Sequence, residues 1–98
     1  MTYKVLILPE AEEQVRKLNS WWKRNRPASR TSVKKELRRL RGQLSTFPNR
    51  APAYDVRDVR YVQLAGTPYC AFFEVDDAQK QVRIVAVWGL PQGEQPPI

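Results

Sequence analysis

Residues 60–89 constrain the fold more than any other part of the chain, because they contain three β-type segments separated by two short turns. Residues 60–64 lead into a turn with Gly66 and Pro68, and residues 69–75 are dense in aromatic and β-favouring side chains. A polar turn at residues 76–79 precedes the third segment, at residues 82–88. Connections this short join antiparallel neighbours, so the sequence predicts a β-meander.

Strict alternation along the second and third segments would divide their side chains between two faces. On the second segment, one face carries Tyr69, Ala71, Phe73 and Val75, and the other carries Cys70, Phe72 and Glu74. On the third segment, Val82, Ile84, Ala86 and Trp88 alternate with Arg83, Val85 and Val87. Both faces are apolar in the middle, so other elements must cover at least one of them.

Two amphipathic helices are predicted between a first strand at residues 3–8 and the meander. The first opens at Pro9 and must end before Pro27, because the residue preceding a proline avoids the α region. The second is expected at about residues 28–46. Their apolar stripes are Ala11, Val15, Leu18 and Trp22 in the first helix, and Val33, Leu37, Leu40, Leu44 and Phe47 in the second. A short link between them predicts an antiparallel αα-hairpin whose apolar face covers the sheet.

The order strand, helix, helix, strand, strand, strand predicts an α+β fold in which an αα-hairpin packs on an antiparallel sheet. Residues 49–58 are expected to form a loop. We expect one domain over residues 1–90 and, because residues 91–98 are rich in proline, an extended or disordered tail after it.

Composition excludes several classes of protein and site. No apolar run approaches the roughly 20 residues that a membrane-spanning helix needs, and a chain without histidine and with a single cysteine offers no zinc site. No phosphate-binding glycine loop or other cofactor motif is present, so no cofactor is expected. The lone Cys70 is compatible with a reducing cytoplasm, and its position in a β segment predicts a small buried apolar side chain.

A net charge of +7 points to a polyanionic partner, either nucleic acid or an acidic protein. Nine of the 17 lysines and arginines lie between positions 23 and 41: Lys23, Arg24, Arg26, Arg30, Lys34, Lys35, Arg38, Arg39 and Arg41. Positions 34, 38 and 41 share one face of the second helix. This basic run is either a solvated helix face or a ridge that binds phosphates or an acidic segment.

The three tryptophans and the arginines near the sheet are the other candidates for binding. Trp22 lies on an apolar stripe and is expected in the core, Trp21 beside it is a candidate interface anchor, and Trp88 fits either role. Arg57, Arg60 and Arg83 belong to the sheet side. For Arg60 the alternative to a functional role is an ion pair with Asp55, Asp58 or Glu74. Asp76 and Asp77 suit a turn rather than a metal site.

Several marks in chain order resemble the RelE/ParE superfamily of toxins from type II toxin–antitoxin modules. They are Pro9-Glu10-Ala11 at the start of the first helix, Leu44-x-x-Phe47-Pro48 at the end of the second, and Val59-Arg60 before a strand. The pair Trp21-Trp22 and the ending Ala86-Val87-Trp88 are similar to the ParE-like branch in particular.

The resemblance implies a cytoplasmic toxin that is neutralised by a ParD-like antitoxin with an acidic amphipathic segment. In the ParE-like branch the target is DNA gyrase, which would be bound and poisoned. On this reading the antitoxin contacts are Trp21, Lys34, Arg38 and Arg41, and the target contacts are Arg60, Arg83 and Trp88. A RelE-like alternative, which would cleave mRNA on the ribosome, would use Arg57, Arg60, Arg83 and Tyr69.

The chain departs from both branches at the end of the last strand. Cys70 stands where the ribonuclease branch has a basic residue, and Gly89 and Gln92 stand where ParE-like relatives have a histidine and an arginine. Cleavage of RNA without a metal needs an acid or base and positive charge at the phosphorane. These departures argue against nuclease activity and leave a third alternative, a non-toxic relative that acts as a binding module.

Overall fold

The computed structural model describes residues 2–54 and 58–89. The elements in chain order are β1 (Lys4–Ile7), α1 (Pro9–Asn25), α2 (Val33–Thr46), a 3-10 helix (Pro48–Arg50), β2 (Ala53–Tyr54), β3 (Val59–Gln63), β4 (Tyr69–Asp76) and β5 (Gln81–Gly89). The predicted tail at residues 91–98 lies outside the described residues. Within residues 2–54 and 58–89, no helix has the length and apolar character required to cross a bilayer.

The five strands form one sheet in the order β1-β5-β4-β3-β2, and both helices pack against it, which confirms the predicted α+β fold. The meander β3-β4-β5 is antiparallel throughout. The sheet as a whole is mixed rather than wholly antiparallel, because β1 runs parallel to β5 with Lys4 opposite Gln81 and Ile7 opposite Ile84. Part of the region predicted as a loop also pairs, since Ala53 lies opposite Arg60 in β3.

The ends of the helices follow local chemistry. Pro9 occupies the first turn of α1, where its missing N–H is not needed, and α1 ends at Asn25 as predicted. α2 begins at Val33, five residues later than predicted, because Ser32 caps it by accepting a hydrogen bond from the Lys35 backbone N–H at 3.1 Å. Residues 26–32 therefore form the link between the helices.

The helical hairpin and one face of the sheet, which we call the inner face, enclose the main core. It joins Leu37 and Leu40 of α2 and Val15 of α1 to Phe73 of β4 and Ile84 of β5, all of them buried. The opposite, outer face carries a smaller cluster of Val59, Cys70, Phe72 and Ala86. The predicted burial of Cys70 is confirmed, and burial raises the pKa of its thiol.

A β-bulge in β5 corrects the predicted division of its side chains. Phe72 lies opposite Ala86 and Phe73 opposite Ile84, so Val85 is an extra residue between these pairs. Val82 and Ile84 belong to the inner face, but after the bulge Val87 points inward, and Ala86 and Trp88 belong to the outer cluster. Strict alternation failed here because one inserted residue exchanges the two faces for the remainder of the strand.

The bulged end of β5 is held by α1 rather than by β1. β1 pairs with β5 only as far as Ile84, and beyond that point the Val87 backbone N–H donates to Gln14 Oε1 at 2.8 Å. A side chain of α1 thus replaces the missing strand partner. This bond ties the helix to the part of the sheet that carries Trp88.

The start of β1 is tied to the turn after β4 by a carboxylate. Asp77 Oδ1 accepts from the Tyr3 hydroxyl at 2.6 Å and from Asn49 Nδ2 at 3.4 Å. These hydrogen bonds, with that from Tyr3 the larger contributor, lower the pKa of Asp77 below its ordinary value. Lys80 lies over the Tyr3 ring at 5.1 Å and adds to the same cluster.

We expect Ser32→Ala to reduce the free energy of unfolding by about 1 kcal/mol, because the Lys35 N–H loses its acceptor. Ser32→Asp is the matched control, since its carboxylate can still cap the helix and should retain the stability. Urea unfolding monitored by far-UV circular dichroism measures both. Equal loss in the two variants would contradict the capping role.

We expect Tyr3→Phe to raise the pKa of Asp77 toward its ordinary value, because the ionised carboxylate loses its strongest donor. The lowered pKa contributes stability above the unfolded-state pKa, and that contribution is lost as the pH falls through the folded-state pKa. Tyr3→Phe should therefore be less stable than the parent at pH 7, and the difference should shrink in acid.

NMR titration of the Asp77 carboxyl carbon measures this pKa directly. Asn49→Ala, which removes the more distant donor, serves as the control and should give a smaller upward shift. An unchanged Asp77 titration in Tyr3→Phe would show that the hydrogen bond contributes nothing.

Candidate binding surface

An aromatic groove of about 480 Å³ lies where the C-terminal end of α1 meets the ends of β4 and β5. We call it the Trp21 groove. Its lining combines aromatic, apolar and cationic groups: Lys17, Leu18, Trp21, Trp22, Arg24, Arg26, Pro68, Tyr69, Trp88 and Gly89. It brings together two of the predicted binding residues, Trp21 and Trp88, that are far apart in the sequence.

Trp22 forms the rigid floor of the groove. Its indole N–H donates to the Thr31 carbonyl at 2.8 Å, and its ring meets that of Tyr69 edge-on with the centroids 6.1 Å apart. Trp22 is buried, which confirms its predicted place in the core. The adjacent Trp21 points away and is 45% exposed, so its ring is available to a partner.

Positive charge surrounds these rings. The Arg26 guanidinium lies 5.5 Å from the Trp22 ring centroid, a cation–π contact. Among residues 2–54 and 58–89, neither Arg24 nor Arg26 forms an ion pair, and Lys17 has only Glu13 at 3.9 Å. The rim of the groove is therefore suited to an anionic partner.

Tyr69 supplies a neutral hydroxyl at the groove. Burial raises the pKa of its phenol, and the nearby Arg26 only partly opposes this shift. The phenol stays protonated at physiological pH and is suited to donate a hydrogen bond. Tyr69 is therefore poorly placed to act as a base.

Gly89 borders the same groove. A β-carbon at this position would lie 3.5 Å from the Tyr69 ring, which is an ordinary van der Waals contact. The fold therefore has room for a side chain at the position where the resemblance places a histidine. Gln92, the other departure, lies outside the described residues.

The structure does not gather the arginines predicted for target binding or catalysis. Arg60 lies opposite Phe73 of the inner face, and its Nη1 donates to the Ala51 carbonyl at 2.5 Å. Arg83 lies near Glu74 and Asp76, at 3.8 Å and 3.6 Å. Glu74, one of the acids expected beside Arg60, thus lies beside Arg83 instead, and Asp55, another of them, lies outside the described residues.

The residues expected to act together in a ribonuclease therefore lie apart in the structure. Arg83 pairs in register with Glu74, about five residues or roughly 16 Å along β4 from Tyr69. Arg60 and Arg83 follow opposite faces of the sheet, since Phe73 is inward and Glu74 is its neighbour on the strand. Arg57, the fourth member, lies outside the described residues.

Lys34, Arg38 and Arg41 share one face of α2, as predicted, and line a shallow groove of about 210 Å³ between α2, α1 and β1. Arg41 also donates to the Val5 carbonyl at 3.2 Å, which fixes its side chain across the helix–strand boundary. This basic face and the Trp21 groove are separate surfaces. The four predicted antitoxin contacts therefore do not form one continuous site.

Sequence reasoning missed a second apolar groove, of about 450 Å³, between α2 and β3. Phe47 was expected on the buried stripe of α2 but is 53% exposed, because the helix ends at Thr46 and Phe47 adopts a non-helical backbone. The Arg50 guanidinium covers its ring at 4.1 Å. Pro48, which directly follows Phe47, was the available signal that the helical period does not extend this far.

The sequence also gave no direct signal for Arg24 and Arg26 as part of an aromatic site. The sequence marks both only as members of a basic run, and it marks Tyr69 as a strand residue and as a member of the set expected for a ribonuclease. Their position beside Trp21 and Trp22 was the usable clue, because interleaved aromatic and basic residues are typical of binding surfaces.

Comparison with solved structures supports the fold. The toxin–antitoxin complex RelBE of E. coli contains a chain similar to this one with a TM-score of 0.69 and 17% identity, covering 92% of this chain and 99% of that one. A chain of the chromosomal ParDE system of P. aeruginosa is similar with a TM-score of 0.65 and 14% identity, covering 90% of this chain and 96% of that one. A chain of the RelBE2 complex of Mycobacterium tuberculosis is similar with a TM-score of 0.65 and 17% identity, covering 92% of this chain and 100% of that one.

Comparison with curated proteins finds no match. The family model described as the ParE toxin of the type II toxin–antitoxin system parDE matches residues 5–89, which span every strand and helix of the sheet and hairpin except the first residue of β1. Because this match covers most of the chain, the chain belongs to the ParE toxin family of type II toxin–antitoxin systems.

Proposed function

We propose that this protein is a toxin that binds and poisons DNA gyrase in the cytoplasm and is neutralised by a cognate antitoxin. Its membership of the ParE family carries the proposal. Two structural features support a binding rather than a catalytic mode of action. One is the exposed Trp21 in a groove where Arg24 and Arg26 form no ion pair with a described residue, and the other is the separation of Arg60 and Arg83 from Tyr69.

The antitoxin is proposed to contact the basic face of α2 and the Trp21 ring. Lys34 and Arg38 are exposed and form no ion pair with another described residue, so an acidic segment would find uncompensated charge there. Trp21 offers a large apolar anchor at the end of α1. Such a segment would need acidic residues along α2 and an apolar side chain at its end.

Arg60, Arg83 and Trp88 are proposed as target contacts of unequal weight. Arg83 is already compensated by Glu74 and Asp76, and Arg60 is held by the Ala51 carbonyl. Trp88 is half-buried at the end of β5, next to the Trp21 groove. Of the three, Trp88 has the side chain best placed to meet a large protein.

We expect induced expression of the chain to arrest bacterial growth, and co-expression of the small protein encoded beside it to restore growth. The purified protein should inhibit supercoiling by gyrase and leave mRNA on translating ribosomes intact. Plating efficiency, a plasmid supercoiling assay and a translation-coupled cleavage assay measure these outcomes.

Two results would replace the proposal with one of its alternatives. Cleaved mRNA with unimpaired supercoiling would identify a RelE-like ribonuclease. Unchanged growth despite good expression of folded protein would identify a non-toxic binding module.

We expect the double variant Lys34→Gln, Arg38→Gln to weaken the antitoxin complex roughly five- to 30-fold, since two surface charge contacts contribute about 1–2 kcal/mol together. Most of the loss should appear in the association rate and disappear at high salt. Arg41 is left intact because of its bond to Val5. Surface plasmon resonance at two salt concentrations measures both effects.

The matched control is Lys4→Gln, Arg50→Gln, which removes the same charge from exposed positions away from that face of α2. Equal weakening by both double variants would assign the effect to net charge alone. The proposed α2 contact would then be wrong.

A further inference from the structure

The outer wall of the Trp21 groove is a row of cation, ring and cation. Lys17, Trp21 and Arg24 follow each other at 4-3 spacing on α1, so they lie along one line of the helix surface, about 10 Å long. All three side chains are exposed. Arg26, just past the end of the helix, adds a further cation on the same groove.

The charges along this row are poorly compensated. Glu13 is shared by Lys17, at 3.9 Å, and by Arg16, which it contacts much more closely. Arg24 and Arg26 have no ion pair within the part of the chain that the structure describes. In a chain of net charge +7, this row is a local source of positive potential that attracts anions.

The ring in the row belongs to a helix end that is anchored by the next residue. The neighbouring Trp22 is fixed by its bond to Thr31 and by its edge-on contact with Tyr69, and both residues line the same groove. A flat, exposed indole between two cations matches a polymer whose own repeat alternates a flat ring with a negative charge. Single-stranded nucleic acid has that repeat, whereas an acidic peptide has no obligatory ring for Trp21 to stack on.

We propose that the Trp21 groove binds single-stranded nucleic acid, with a base stacked on Trp21 and phosphates held by Lys17, Arg24 and Arg26. This interaction is additional to the proposed binding of gyrase and antitoxin and does not rest on either. It carries no base specificity, because cations and an indole face recognise features that all nucleotides share. An antitoxin seated on Trp21 would compete with it.

The test uses the full chain and a fluorescein-labelled oligodeoxythymidine of about 12 nucleotides, followed by fluorescence anisotropy at low salt. Trp21→Ala should weaken binding about five- to 100-fold through the loss of one stacked base, and Trp21→Phe should retain most of the affinity. Phe47→Ala, which removes the exposed ring of the other groove, is the matched control and should leave binding unchanged.

Salt dependence tests the phosphate contacts separately. Each cation in contact with a phosphate contributes about 0.7 to the slope of log K against log salt for a single strand. Arg24→Gln should therefore reduce the slope by that amount, while Arg50→Gln, an equal loss of charge at the Phe47 groove, should not change it. Circular dichroism and urea unfolding establish that all variants are folded.

Three results would overturn the proposal. They are the absence of oligonucleotide binding at low salt, equal affinity of Trp21→Ala and the parent, and equally tight binding of polyglutamate with the same dependence on Trp21. The third result would assign the groove to acidic peptides. None of the three bears on growth arrest or on supercoiling, so failure here is distinguishable from failure of the proposed function.

Discussion

The anchoring of Trp22 determines how the binding surface is built. Its indole N–H is bonded to the link between the helices, and its ring abuts Tyr69 at the start of β4, so one side chain joins the hairpin to the end of the sheet. Consecutive residues on an α-helix point about 100° apart. Once Trp22 is fixed inward, Trp21 must point outward, and Arg24 follows on the same exposed side. The core contact and the exposed row are thus two results of one constraint.

The bulge in β5 determines which side chains at the end of that strand face the core. Without the extra residue Val85, alternation would place Trp88 on the inner face with Ile84. The bulge sends Trp88 to the outer face and Val87 into the core, and Gln14 accepts from the buried N–H of Val87, which has no strand partner. The local irregularity is therefore compensated within the fold, as buried backbone groups require.

Much of this architecture could be predicted from the sequence, because it follows from local rules. The apolar stripes, Pro9, Pro27 and the short turns of the meander identify the hairpin and the three antiparallel strands. The parallel pairing of β1 with β5 could not be predicted, since it joins segments that lie more than 70 residues apart and leaves no local pattern. Three other features each depend on a single residue that interrupts a regular side-chain pattern. They are the bulge in β5, the late start of α2 after the Ser32 cap, and the exposure of Phe47.

The candidate site was only partly accessible for the same reason. The sequence pattern identified Trp21 as a possible anchor and marked the basic run, but it could not show which cations lie beside the Trp21 ring. It also grouped Arg60 with Arg83, although the pleat sends them to opposite faces and the carboxylates of Glu74 and Asp76 lie beside only Arg83. Pairings of this kind depend on register, and register is set by tertiary packing rather than by residue type.

The open space at Gly89 has a consequence for how this surface can change over time. Its backbone is not in the left-handed region and a β-carbon would meet Tyr69 at an ordinary distance, so neither steric nor conformational demands require glycine there. A substitution that adds a β-carbon at this strand end therefore meets no steric clash. The residue type at this one surface position can therefore vary over evolution without a cost to the backbone or to its nearest neighbours.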